Sequence, residues 1–150
     1  MAYKVLNQKQ YNFVWNKFEK SFSFNPSVNP KDWPSFKAPI PSITYRFKDY
    51  MFSDDFDYYD EWLICGLREL CLKETLYALD WQHESFEFTI EDYADLPICL
   101  YPDGDYYIFL RKDFSSGVFT HPWEESVCIF GAELLNILKK YPAPFEKAIR

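Results

Sequence analysis

The sequence predicts an α+β domain: a single antiparallel β-sheet of five to six strands, laid out as a meander, with an N-terminal, a central and a C-terminal helix. Three observations carry this. Apolar residues recur at helical spacing in three separate segments, near residues 8–20, 54–73 and 132–140. Aromatic residues make up 21% of the chain, which favours strands and large buried areas. Short β-type runs punctuated by turn residues fill most of the stretch from Thr75 to Phe130. At 150 residues and 48% apolar content, the chain reads as one domain, 1–150, with a real core.

In chain order, Tyr11, Val14, Trp15, Phe18 and Phe22 fall at i, i+3, i+4, i+7 and i+11, an amphipathic helix with Lys9, Lys17 and Lys20 toward water. Pro26, Pro30, Pro34, Pro39 and Pro41 make residues 24–42 an extended but ordered loop, because proline fixes φ and lacks a donor. Trp33, Phe36 and Ile40 are the expected pins from this loop to the core. Ser42–Phe47 reads as a short strand. Ser53 or Asp54 caps a second helix running to about Lys73, with Asp54, Asp55, Asp57, Asp60 and Glu61 at its positive end and Tyr59, Trp62, Leu63, Leu67 and Leu70 as its buried stripe.

Thr75–Gln82 and Ser85–Ile90 are β-type runs, although the first could instead extend the helix. Leu96–Tyr101 leads into Pro102-Asp103-Gly104, a turn signal, and Asp105–Lys112 is the clearest strand. Ser116–Thr120 and Glu125–Phe130 follow. Gly131 opens a last helix, Ala132–Lys140, with Leu134, Leu135 and Leu138 inward and Lys139 and Lys140 at its negative end.

Charge is polarised along the chain. Residues 1–50 carry eight bases and three acids; the remaining hundred carry eight bases and twenty acids, giving a net charge of −7. Between Lys73 and Arg111 stand nine carboxylates and nine aromatics, with no Lys or Arg. Phosphate-backbone binding needs clustered bases, so nucleic acid and anionic membranes are not expected as partners; a basic protein is. No apolar run approaches the roughly eighteen residues of a membrane span. The N-terminal MAYKVLNQKQ lacks the apolar core of a signal peptide, so the expected compartment is the cytoplasm. Cys65, Cys71, Cys99 and Cys128 show no C-x-x-C spacing and read as buried thiols in a reducing environment.

Catalytic motifs are missing from the pattern. No G-x-S-x-G, G-x-G-x-x-G, Walker loop or H-E-x-x-H occurs. His83 and His121, each beside a tryptophan and an acid, could act as acid–base groups or ligands, or could simply dock structurally against the indoles. Asp103-Gly104-Asp105 is a turn rather than a calcium loop, which needs about five oxygen ligands over twelve residues. In Asp105–Lys112, Tyr106, Ile108 and Leu110 alternate with Tyr107, Phe109 and Arg111, so both faces are apolar. That strand is either covered on both sides or exposes Tyr107 and Phe109 as part of a protein-binding face.

Several blocks resemble a known family. Pro41-Ser42-Ile43-Thr44-Tyr45, Asp80-Trp81-Gln82-His83-Glu84, Gly104-Asp105-Tyr106-Tyr107 and His121-Pro122-Trp123-Glu124 look like the bacterial domain-of-unknown-function family 2716, over about Trp15 to Leu138. The resemblance implies a small cytosolic bacterial protein and brings no activity or catalytic residue with it. In layout alone, a meander with a Gly-Asp turn followed by a Leu-rich helix is similar to the small immunity proteins of the SUKH type, which neutralise toxins by direct binding.

The resulting expectation is a non-enzymatic acidic domain that binds a basic protein, an immunity protein against a basic toxin domain being its expected form. No cofactor, metal or catalytic residue is assigned. The charges expected to contribute are Asp80, Glu84, Glu87, Asp103, Asp105 and Glu124, with Trp81, Tyr107 and Trp123 as anchors and His83 and His121 beside them. The alternative is a small hydrolase or metal-dependent enzyme that uses His83 and His121 together.

Overall fold

The computed structural model describes residues 3–47, 56–72, 74–90 and 96–150. Seven strands and three helices follow in the order β1 (Tyr3–Val5), α1 (Gln8–Ser21), β2 (Ser42–Arg46), α2 (Phe56–Cys71), β3 (Leu76–Asp80), β4 (Phe86–Phe88), β5 (Tyr107–Arg111), β6 (Gly117–His121), β7 (Ser126–Phe130) and α3 (Ala132–Leu138). The strands form one sheet in the order β1-β4-β3-β5-β6-β7-β2, antiparallel at every pairing. The α+β class and single antiparallel sheet are as expected, with seven strands instead of five or six. Thr75–Gln82 contributes a strand and does not extend the helix. Only β5, β6 and β7 keep strict meander order beside β3, because β4 folds to the far side of β3 and leaves β5 to pair with β3 directly.

Each helix forms where its apolar stripe meets one face of the sheet. Asn7 caps α1 with a full capping box, its side chain accepting from Gln10 N–H while the Gln10 side chain accepts from Asn7 N–H, both at 2.9 Å. Val14, Trp15, Phe18 and Phe22 then bury against Leu79, Ile108, Leu110, Phe119, Cys128 and Phe130 on one sheet face. Tyr59, Trp62, Leu63, Leu67 and Leu70 of α2, with Leu134 and Leu138 of α3, bury against Leu76, Ala78, Phe109, Val118, Val127 and Ile129 on the other. The proposed caps Ser53 and Asp54, with Asp55, lie outside the described residues, as do Glu91, Asp92 and Asp95 of the acidic stretch.

Central β5 is therefore covered twice: Ile108, Phe109 and Leu110 are fully buried, and Tyr107 and Arg111 at its two ends keep partial exposure. Its two apolar faces reflect two cores, not an open binding face.

The proline-rich loop packs over the α1 face. Phe36 stacks on Phe119 with ring centroids 3.9 Å apart. Ile40 is 97% exposed, contrary to its expected role as a pin. The main chain does that work instead: Gly131 N–H donates to the Pro41 carbonyl at 3.0 Å, which frees the Ile40 side chain to point outward. All four cysteines are free; Cys71 and Cys128 are buried as expected, but Cys65 and Cys99 only partly, since Cys99 lies in the loop before β5 and not in a strand. No helix of the described residues is long and apolar enough to cross a membrane.

Candidate functional site

Antiparallel pairing gathers the singled-out residues. Asp80 pairs with Tyr107, Tyr107 with Thr120, and Thr120 with Val127, so the end of β3, the start of β5, the end of β6 and the start of β7 share one end of the sheet. The segments at that end are the β3–β4 turn with Trp81, His83 and Glu84, the approach to β5 with Asp103 and Asp105, and the β6–β7 turn with Trp123 and Glu124. Glu87 alone sits elsewhere, mid-strand in β4.

Trp81, Tyr106 and Trp123 form one aromatic group at this end. Tyr106 makes edge contacts with both indoles, at centroid distances of 5.5 Å to Trp81 and 5.7 Å to Trp123. Trp123 is 43% exposed, whereas Trp81 is half-buried and Tyr106 fully buried. Glu84, Asp103 and Glu125, in the segments at the same end of the sheet, are exposed. Tyr107, an expected anchor, is instead partly buried and donates from its hydroxyl to the Asp103 carbonyl at 3.3 Å.

His83 stands on the β3–β4 turn between two carboxylates. Its Nδ1 lies 2.9 Å from Asp105 Oδ2 and 3.2 Å from Asp80 Oδ1. The carboxylates are largely covered, with side chains 21% exposed for Asp80 and 15% for Asp105, while the imidazole is 66% exposed. Burial, and then the Asp105 carboxylate beside it, push the Asp80 carboxyl up to about 6. Asp80 in turn raises the His83 imidazole above its ordinary value. The turn is fixed from several sides: His83 N–H donates to the Asp80 carbonyl, Trp15 Nε1 and Asp80 N–H both donate to the Ser85 hydroxyl, and Gln82 adopts a left-handed φ of 65°.

His121 belongs to a different group. It is fully buried, and its Nδ1 accepts from the backbone N–H groups of Trp123 at 3.3 Å and Glu124 at 3.1 Å. Those two donors place the ring proton on Nε2, which donates to Ser35 Oγ at 2.9 Å. The Ser35–His121 pair thus has the polarity opposite to that of a nucleophile and its base: this imidazole gives a proton to the serine's lone pair and has no free lone pair to take one. Burial pushes His121 down to about 4, so the ring stays neutral. Its structure is that of a pin between the proline-rich loop and β6. Among the described residues, His83 and His121 have no hydrogen-bond partner in common.

Two of the six singled-out acids are paired with a lysine or an arginine within the fold. Glu87 accepts from Thr75 and Lys112 with Lys4 3.6 Å away; burial opposes its ionisation, but the hydrogen bonds outweigh it and hold the carboxyl below its usual range. Glu124, its side chain 4% exposed, receives both guanidinium arms of Arg150, at 2.9 and 2.5 Å, and the Ser126 hydroxyl. These bonds likewise overcome burial and depress its carboxyl. Sequence reasoning missed Ser35 and Arg150, which reach their partners across 86 and 26 residues with no periodicity to reveal them. It read Tyr106 only as an apolar residue in a strand, although the adjacent Trp-containing blocks held its contacts.

These features define an acidic α+β domain with an aromatic cluster and a carboxylate rim at one sheet end. The chain belongs to the family described as "Protein of unknown function (DUF2716)", whose model matches residues 5–135. It is also similar to a Bacillus subtilis (strain 168) protein described as "Uncharacterized protein YxiI", at 36% identity over 160 aligned residues that take in 95% of each chain. No solved structure matches the chain.

Proposed function

We propose that this chain is a cytosolic, non-catalytic binding domain that uses the acidic, aromatic end of its sheet to dock a basic protein, with neutralisation of a basic toxin domain as the biological form of that contact. The observation that carries the reading is Trp123, exposed at 43% and backed by the buried Tyr106, with Glu84, Asp103 and Glu125 exposed in the segments at the same end of the sheet. An indole held rigidly by a buried ring loses little entropy on binding, and aromatic anchors of this kind dominate interface energies. Carboxylates around it accelerate encounter with a cationic surface. The test is co-expression and co-purification with the products of the neighbouring genes, where a basic toxin domain is the expected partner. Trp123→Ala is expected to weaken binding at least about tenfold through loss of the anchor. Asp103→Lys and a rise to about 0.5 M salt should each slow association, because exposed charges are screened within a few ångströms there. Binding indifferent to both substitutions and to salt would sink the reading.

A second reading, a metal-dependent enzyme, finds support in the convergence of Asp80, His83 and Asp105. His121 does not join that group; its Nε2 is committed to Ser35.

A further inference from the structure

We propose that Asp80, His83 and Asp105 form a binding site for a divalent transition-metal ion such as Zn²⁺ or Mn²⁺. One ligand atom from each lies within 4.8 Å of the other two. The separations of His83 Nδ1 from the two carboxylate oxygens, 2.9 and 3.2 Å, are those of neighbouring ligands on one ion, since bonds of about 2.0–2.2 Å at angles between 90° and 109° put adjacent ligands about 3 Å apart.

Three further features favour a cation over a simple hydrogen-bonded cluster. The carboxylates stand side by side and mostly covered, yet among the described residues their only ion-pair partner is the exposed imidazole. The sequence supplies no Lys or Arg anywhere between residues 74 and 110. The ligands are also held before any ion arrives. Asp80 ends β3, Asp105 approaches its neighbour β5, Trp81 N–H donates to the Tyr106 carbonyl between them, and Asp105 Oδ1 accepts from Tyr106 N–H at 2.8 Å, leaving Oδ2 for the site. Such outer support is what orients metal ligands. One imidazole with two carboxylates suits Zn²⁺ or Mn²⁺ better than Ca²⁺ or Mg²⁺, which take oxygen ligands alone. The exposed side of His83 leaves the remaining coordination positions to water. The proposal does not rest on the protein-binding reading, which concerns Trp123 and its rim.

The test is titration calorimetry of the chelator-stripped chain with ZnCl₂ and MnCl₂, alongside thermal melts. The expected result is saturable 1:1 binding in the micromolar range, and a midpoint raised by roughly 5–10 °C at about a hundredfold excess over the dissociation constant. His83→Ala and Asp105→Asn should each weaken binding at least tenfold. Asp105→Asn keeps the oxygen that accepts from Tyr106, so a circular dichroism spectrum like wild type shows the fold is not the cause. Glu87→Gln, at an acid outside the site, should bind as wild type does. No saturable binding below about 1 mM for either ion, or equal binding by the His83 and Asp105 variants, overturns the proposal.

Discussion

Gly131 sits at φ +100°, ψ +130°, where the last strand turns into α3. A Cβ built there would overlap the Ser116 hydroxyl and the Ser115 carbonyl. Both the backbone conformation and the space therefore require glycine. Gly104 differs: its φ is +78°, but nothing lies within 4 Å of the position a Cβ would take. Gly131→Ala should cost at least about 2 kcal/mol, the sum of backbone strain and displaced neighbours. Gly104→Ala should cost about 1 kcal/mol, from the backbone alone. Urea melts of the two variants check this, and equal midpoints would refute the assignment of crowding to Gly131.

At the level of elements, β2 is an edge strand whose outer side meets Ile149 and Arg150. Thr44 N–H donates to the Arg150 carbonyl at 2.9 Å, and Ile149 N–H donates to the Thr44 carbonyl at 2.8 Å. Arg150 then reaches Glu124 in the turn that leads into the neighbouring strand β7. Covering an edge in this way blocks pairing with other chains. Arg150→Ala should cost about 2 kcal/mol by leaving a buried carboxylate without its cation; the loss is less than the 3–5 kcal/mol of a fully buried pair because Arg150 is itself 40% exposed. Glu124→Gln with Arg150→Ala should cost less than the two single losses added, which a double-mutant cycle of denaturation energies measures.

The same scale shows which elements were legible. α1 and α2 bury stripes whose 3.6-residue period is written into their own residues, while β5 and β7 read as short, continuous apolar runs buried on both faces. β1 is three residues with two of them exposed, and exists through its pairing to β4, which no local pattern encodes. The site was half legible for a related reason. Trp81, His83, Asp105 and Trp123 stand out as residue types, but their assembly depends on the register that aligns Asp80 with Tyr107 and Thr120. That register also separated them, committing Glu124 to Arg150 and His121 to Ser35.

For the molecule as a whole, His121 gives stability a particular dependence on pH. Folded His121 holds its proton only near pH 4, while the unfolded chain binds one near pH 6.5. Between those values the unfolded state takes up a proton that the fold refuses, so acidification favours unfolding. The neutral ring's contribution is complete above about pH 6.5 and declines as pH falls toward 4, by roughly 3 kcal/mol in all. Glu124 adds to the loss at still lower pH, because its depressed carboxyl must be protonated away from Arg150. His121→Asn isolates the histidine's part: an asparagine oxygen can accept the Trp123 and Glu124 N–H groups but does not titrate. The stability difference between wild type and this variant should shrink by about 3 kcal/mol from pH 7 to pH 4, while titrating groups that do not interact with His121 cancel. NMR titration supplies the independent check, with the His121 ring midpoint expected near 4 and that of His83 above its ordinary value. A constant stability difference together with a His121 midpoint near 6.5 would mean that this ring is solvated in the folded chain, and that the Ser35–His121 pin between the proline-rich loop and the sheet does not hold.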